Sequence, residues 1–118
     1  MASLRTKKSD DYYKRLIAKG HLENGCNLCK EKKEVKKFKH WRILKAKFPW
    51  DRIAKIHHLI IPVRHTTEEK LTKVELKEFH LIKKNYIHGR YELIAEATKK
   101  KKTIPSHFHL HIIAVKPA

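Results

Sequence analysis

The run His107-Phe108-His109-Leu110-His111-Ile112-Ile113 alternates imidazole and apolar side chains, breaking step only at its last residue. A period of two belongs to a β-strand, because an α-helix returns to one face only every 3.6 residues. The run therefore predicts a strand with Phe108, Leu110 and Ile112 turned into a core. His107, His109 and His111 then share the opposite face, spaced about 6.6 Å apart. With 10 histidines in 118 residues, roughly 0.07 such arrays are expected by chance, and about 0.005 once the apolar neighbours are required. A purification tag would be contiguous and terminal. Unrelated surface imidazoles and an adventitious metal site are the plainer readings. Three imidazoles on one rigid strand suit phosphorus chemistry better. A neutral ring nitrogen is a good nucleophile near neutral pH, and a neighbouring ring can carry a proton or hold an anion.

The rest of the chain supplies the frame for that strand. Ser9-Asp10-Asp11 predicts the cap of a short helix through Tyr12, Tyr13, Leu16 and Ile17, stopped by Gly20. A polar turn, residues 21–33, follows. Val35 to Phe48 reads as the two strands of a hairpin, and Pro49-Trp50-Asp51-Arg52 as a loop. Ile56 to Pro62 reads as a buried strand closed by its proline. Thr72-Lys73-Val74-Glu75 is a capping box. Behind it, Leu76, Phe79, Ile82 and Tyr86 recur at helical spacing, predicting an amphipathic helix over about 73–87 that ends near Gly89. Tyr91 to Ala97 is β-rich, and His107 to Val115 is the last strand. This order predicts an α+β domain with an antiparallel sheet of about five strands, one main amphipathic helix and a short N-terminal helix. Scarce glycine (3) and proline (4), with no repeat or linker, argue for a single domain over 1–118, whose first 20 residues form a basic segment.

Charge narrows the partners. Lys and Arg number 29 against 12 Asp and Glu, a net +17. Such a field suits polyanions, whether nucleic acid, nucleotide phosphates or an acidic membrane surface. No apolar run reaches the roughly 18 residues of a bilayer-spanning helix. Met1 to Lys8 lacks the apolar stretch of a secretory leader, so a cytoplasmic address is expected, or a nuclear one in a eukaryote. Two cysteines exclude a disulfide-stapled scaffold. Cys26 and Cys29 are spaced for two thiolates of one metal, yet a lone C-x-x-C also fits plain thiols or a disulfide. His40 stands alone downstream, so a zinc-finger pattern fails.

The triad run resembles the signature of the histidine triad (HIT) superfamily, in which three histidines alternate with apolar residues. His57-His58-Leu59-Ile60-Ile61-Pro62-Val63-Arg64-His65 resembles that family's second landmark, a strand ending in Ile-Pro and a basic residue before His. The resemblance covers about residues 26–113. It implies that His109 attacks an α-phosphate and carries a nucleotidyl-histidine intermediate. His111 would contact the same phosphate, and the backbone of His107 would orient the His109 ring. Zinc-bearing members place a structural Zn2+ on four ligands, which here would be Cys26, Cys29, His65 and His107. Many members are homodimers. The Asn-Asp-Gly-like and Gly-Gln-Ser/Thr segments of many members have no counterpart here, where Lys99, Lys100, Lys101 and Lys102 lead through Thr103-Ile104-Pro105-Ser106 into the triad. The four lysines and Ser106 are therefore the expected substrate-binding residues, with His57 at the start of its strand. Lys47-Phe48-Pro49 and Ile104-Pro105-Ser106 are similar to the aprataxin branch, whose members remove adenylate from nucleic-acid ends.

The expectation is an enzyme: a nucleotide-binding hydrolase or nucleotidyl transferase acting on a nucleotide or nucleotide-capped substrate. Removal of adenylate from DNA or RNA ends is the first alternative. A non-catalytic, zinc-stapled, basic nucleic-acid-binding module is the second. Trp41 and Trp50 read as packing residues, with Trp50 the better candidate for stacking on a base.

Overall fold

The two longest apolar strands lie side by side at the heart of an antiparallel sheet. In chain order its strands are β1 (Lys36–Lys37), β2 (Trp41–Lys45), β3 (Ala54–Pro62), β4 (Leu93–Ala95) and β5 (Leu110–Val115). Their spatial order is β1-β2-β3-β5-β4, so the last strand inserts between β3 and β4. The register sets Leu59 opposite His111 and Ile60 opposite Leu110. The computed structural model describes residues 4–19, 26–98 and 107–117. Three α-helices, α1 (Lys7–Ala18), α2 (Asn27–Lys30) and α3 (Lys73–Ile82), complete the architecture with a 3-10 turn at Glu68–Lys70. This is the α+β arrangement with five antiparallel strands that the hydrophobic pattern predicts. No helix among the described residues is long and apolar enough to cross a membrane.

The strand period gives the sheet two different faces. One packs Trp41, Ile43, Ile60, Phe108 and Ile112 against Ile82, Ile87 and Tyr91 from the α3 region. Burying an isoleucine of this kind contributes roughly 1.5–3 kcal/mol. The other face carries a smaller cluster of Leu28, Leu44 and Ile61, joined by Cys26 and Leu59.

Several boundaries differ from the sequence reading, each for a local reason. The cap of α1 is Thr6, whose side chain accepts from the Ser9 amide, so the helix starts earlier than Ser9. Ser9 instead gives its hydroxyl to the Asp51 carboxylate. Within the expected polar turn, Cys26 caps the single helical turn of α2. The capping box at Thr72 and Glu75 is present, but α3 passes at Lys83–Ile87 into a π-helical turn. Leu76 is 40% exposed and is not a core residue. Its neighbour Glu75 occupies the buried position, with its carboxylate on Arg64 at 2.8 Å and its carbonyl accepting the Trp41 indole N–H at 2.8 Å. The last strand begins at Leu110 and not at His107. Pro62 has no N–H for a ladder, its carbonyl meets the His107 ring, and the Phe108 amide turns to the Thr66 carbonyl at 2.7 Å.

Candidate active site and metal-ligand cluster

The three histidines of the triad are buried, with exposures of 1% for His107, 5% for His109 and 8% for His111. They serve two adjoining centres. His109 and His111 line a cleft with His57, Trp50 and Arg5, walled by Leu44 and Leu59. His107 is not among the cleft's lining residues, and its ring sits against the two cysteines.

Fixed backbone groups decide which nitrogen of each ring carries a proton. His109 Nδ1 lies 2.9 Å from the His107 carbonyl. A carbonyl only accepts, so Nδ1 carries the hydrogen and Nε2 the lone pair. A second chain runs in the opposite sense. The Trp50 amide donates to His57 Nδ1 at 2.9 Å, which puts the hydrogen of His57 on Nε2. That Nε2–H donates to His111 Nδ1 at 2.8 Å, so His111 presents Nε2–H. His109 and His111 thus carry opposite tautomers side by side, their centroids 5.5 Å apart. One is built to offer an electron pair and the other a hydrogen.

Burial keeps the relay neutral. Removal from water, with the nearby Arg5 and His58 charges, pushes His57 down to about 4. Removal from water, followed by the His57, His109 and Arg5 charges, pushes His111 down to about 3. The Trp50 indole stacks on His111, centroids 4.0 Å apart and planes 26° from parallel. Trp50 therefore packs against an imidazole of the site, as well as lining the cleft.

The four residues named for a metal converge. Ligand atoms of Cys26, Cys29, His65 and His107 all lie within 4.8 Å of one another. His107 Nδ1 is 3.4 Å from Cys26 Sγ and 3.3 Å from Cys29 Sγ, and His65 Nδ1 is 3.1 Å from Cys29 Sγ. A tetrahedral ion with sulfur and nitrogen ligands sets its donors about 3.3–3.8 Å apart, so this group could hold one. The second nitrogen of His107 sits 3.1 Å from the Pro62 carbonyl. That bond fixes the hydrogen on Nε2 and leaves the Nδ1 lone pair turned toward the cysteines, where it could ligate an ion. Partial removal from water and the adjacent Cys26 thiol push the Cys29 thiol up to about 11. A bound cation reverses that preference, since a coordinating thiol is deprotonated.

His107 joins the two centres. Its side chain belongs to the ligand cluster, and its carbonyl orients His109. Lys99 to Lys102 and Ser106 lie outside the described residues. Sequence reasoning missed Arg5 and the Asp51 latch, because a single Arg or Asp in a basic segment carries no periodic or spacing signal. No family model and no curated protein matches this chain. Among solved structures the chain is similar to one described as "Hit Like Protein", at 16% identity over 83% of this chain and 96% of that one, with a TM-score of 0.49.

Proposed function

We propose that this chain is a nucleotidyl hydrolase or transferase working at an α-phosphate through His109. The observation that carries the reading is the pair of opposite tautomers at His109 and His111. The Nε2 lone pair of His109 attacks phosphorus, forming an N–P bond while the bond from phosphorus to the leaving group breaks. Nδ1–H stays on the His107 carbonyl, which shares the positive charge of the phosphorylated ring. His111 Nε2–H donates to a non-bridging phosphoryl oxygen as charge builds there. Water, or another acceptor, then attacks the phosphorus and His109 leaves with its lone pair restored. The proton released by that water balances the one the leaving group takes up from solvent. Zn2+ on Cys26, Cys29, His65 and His107 is structural in this reading, because all four positions belong to the protein.

The test is His109→Ala with a nucleoside phosphoramidate as substrate. Turnover should fall by at least about 100-fold, the scale lost with an essential nucleophile, while the circular dichroism spectrum is retained. Rapid acid quench of the wild type should give a nucleotidyl adduct on the peptide containing His109. An adduct elsewhere, or normal turnover by the variant, would falsify the assignment.

The net charge of +17 favours a second reading of the substrate, an adenylated DNA or RNA end. A mononucleotide engages few of those lysines, whereas a nucleic-acid end engages many and releases counterions. The deciding measurement is kcat/KM on an adenylated oligonucleotide against a small adenosine phosphoramidate in one buffer. Preference for the oligonucleotide selects the second reading, and parity or the reverse selects the small molecule.

A further inference from the structure

We propose that Arg5 binds the substrate's phosphate, making the cleft selective for nucleotides over phosphate-free nucleosides. The inference rests on the nucleotidyl-transfer reading above and adds to it a residue from outside the triad and its neighbours. Residues 4–6 form a strap pinned to the loop that carries Trp50. The Leu4 carbonyl accepts the Arg52 amide at 3.0 Å. The Asp51 carboxylate accepts the Thr6 amide at 2.8 Å and the Thr6 hydroxyl at 3.0 Å. Arg5, between these anchors, is held in turn. Its Nε–H donates to the Phe48 carbonyl at 3.1 Å, and its guanidinium lies 4.3 Å from the centroid of the Tyr13 ring.

So restrained, Arg5 lines the same cleft as His57, His109 and His111. Its charge falls on two imidazoles that burial already keeps neutral, and it lowers both further. Lys45 and Lys47 line the cleft as well, but Arg5 is the cation whose charge acts on both His57 and His111. Of the cleft's lining residues Glu31 is the carboxylate, and one of its oxygens accepts the Lys33 amide at 3.0 Å. A guanidinium presents a planar set of donors that matches phosphate oxygens. Preorganisation on Phe48 and Tyr13 lowers the ordering cost of using it. During transfer Arg5 forms no bond and gives up no proton. It neutralises the oxygens that flank the phosphorus attacked by His109.

Calorimetric titration of the full chain with AMP and GMP, and with adenosine and guanosine, tests the assignment. Wild type should bind a nucleotide more tightly than its nucleoside. Arg5→Gln should weaken nucleotide binding about tenfold or more, equivalent to about 1.4 kcal/mol, and leave nucleoside binding unchanged. A nucleotide preference that survives in Arg5→Gln overturns the Arg5 assignment alone. No preference in wild type overturns the nucleotidyl-transfer reading together with it. Phenylglyoxal labelling of wild type, read by peptide mass spectrometry, decides the point without a variant. AMP, and not adenosine, should protect Arg5, and equal labelling overturns the proposal.

Discussion

At the scale of single residues, His57 matters through the direction of its hydrogen bonds. It must accept from the Trp50 amide and donate to His111. A glutamine amide has both an acceptor and a donor at its tip and can do the same. His57→Gln is therefore expected to keep most turnover. His57→Ala should lose about two orders of magnitude in kcat, the scale of a misplaced proton-bearing group. Steady-state kinetics on the two variants checks this, and equal losses would show that bond direction is irrelevant. The same burial gives stability a pH dependence. His57 falls from 6.5 to about 4 in the fold and His111 to about 3, so the unfolded chain binds more protons in between. Stability is complete above about pH 6.5 and declines as pH falls toward those values. Thermal melts from pH 7 to pH 4 should show a falling midpoint, with a shallower fall in His57→Gln. The sequence makes the imidazoles and their shared face legible. It does not make the tautomers legible, because these depend on the main chain at Trp50, Pro62 and His107.

At the scale of elements, long periodic segments are readable and short ones are not. β5 follows from alternation, β3 from a buried run closed by Pro62, and α3 from helical spacing behind the Thr72 capping box. α2 has four residues and no period, and it exists because Cys26 caps it and Leu28 is buried beneath it. The start of α1 is set by a distant partner. Asp51 holds Thr6 and Ser9 from 45 and 42 residues away, a relation that no local pattern encodes. α1 has no buried residue, and its Tyr12 and Tyr13 rings pack against Phe48, with Arg5 also over Tyr13. Asp51→Ala removes the partner of three donors, so α1 should open far more often. Amide exchange should speed up at least tenfold over Lys7–Ala18, about 1.4 kcal/mol of lost local stability. Protection in β3 and β5 should not change. Uniform loss across the sheet would show that the latch supports the whole fold.

At the scale of the whole molecule, the four-residue cluster ties the turn at Cys26 and Cys29, which lies outside the sheet, to the ends of the paired strands β3 and β5. Cys26 and Cys29 stand before the hairpin, His65 follows β3, and His107 leads into β5. A lean, highly charged chain gains much from such a tie, since metal binding is coupled to folding. Untagged protein should contain close to one zinc per chain by elemental analysis. Chelation should lower the melting temperature of wild type by several degrees, roughly 1–3 kcal/mol at this size, and should barely move Cys26→Ser. Metal-free wild type with an unchanged melt would remove the metal from the account. The grouping of these four residues is legible only by resemblance, for spacing alone leaves the cysteines open to other uses. Position 107 also carries a consequence for how such sequences drift. The cluster uses its side chain, while His109 uses its carbonyl, which every amino acid supplies. Any demand that the proposed nucleophile makes at 107 therefore falls on the path of the main chain and not on the codon.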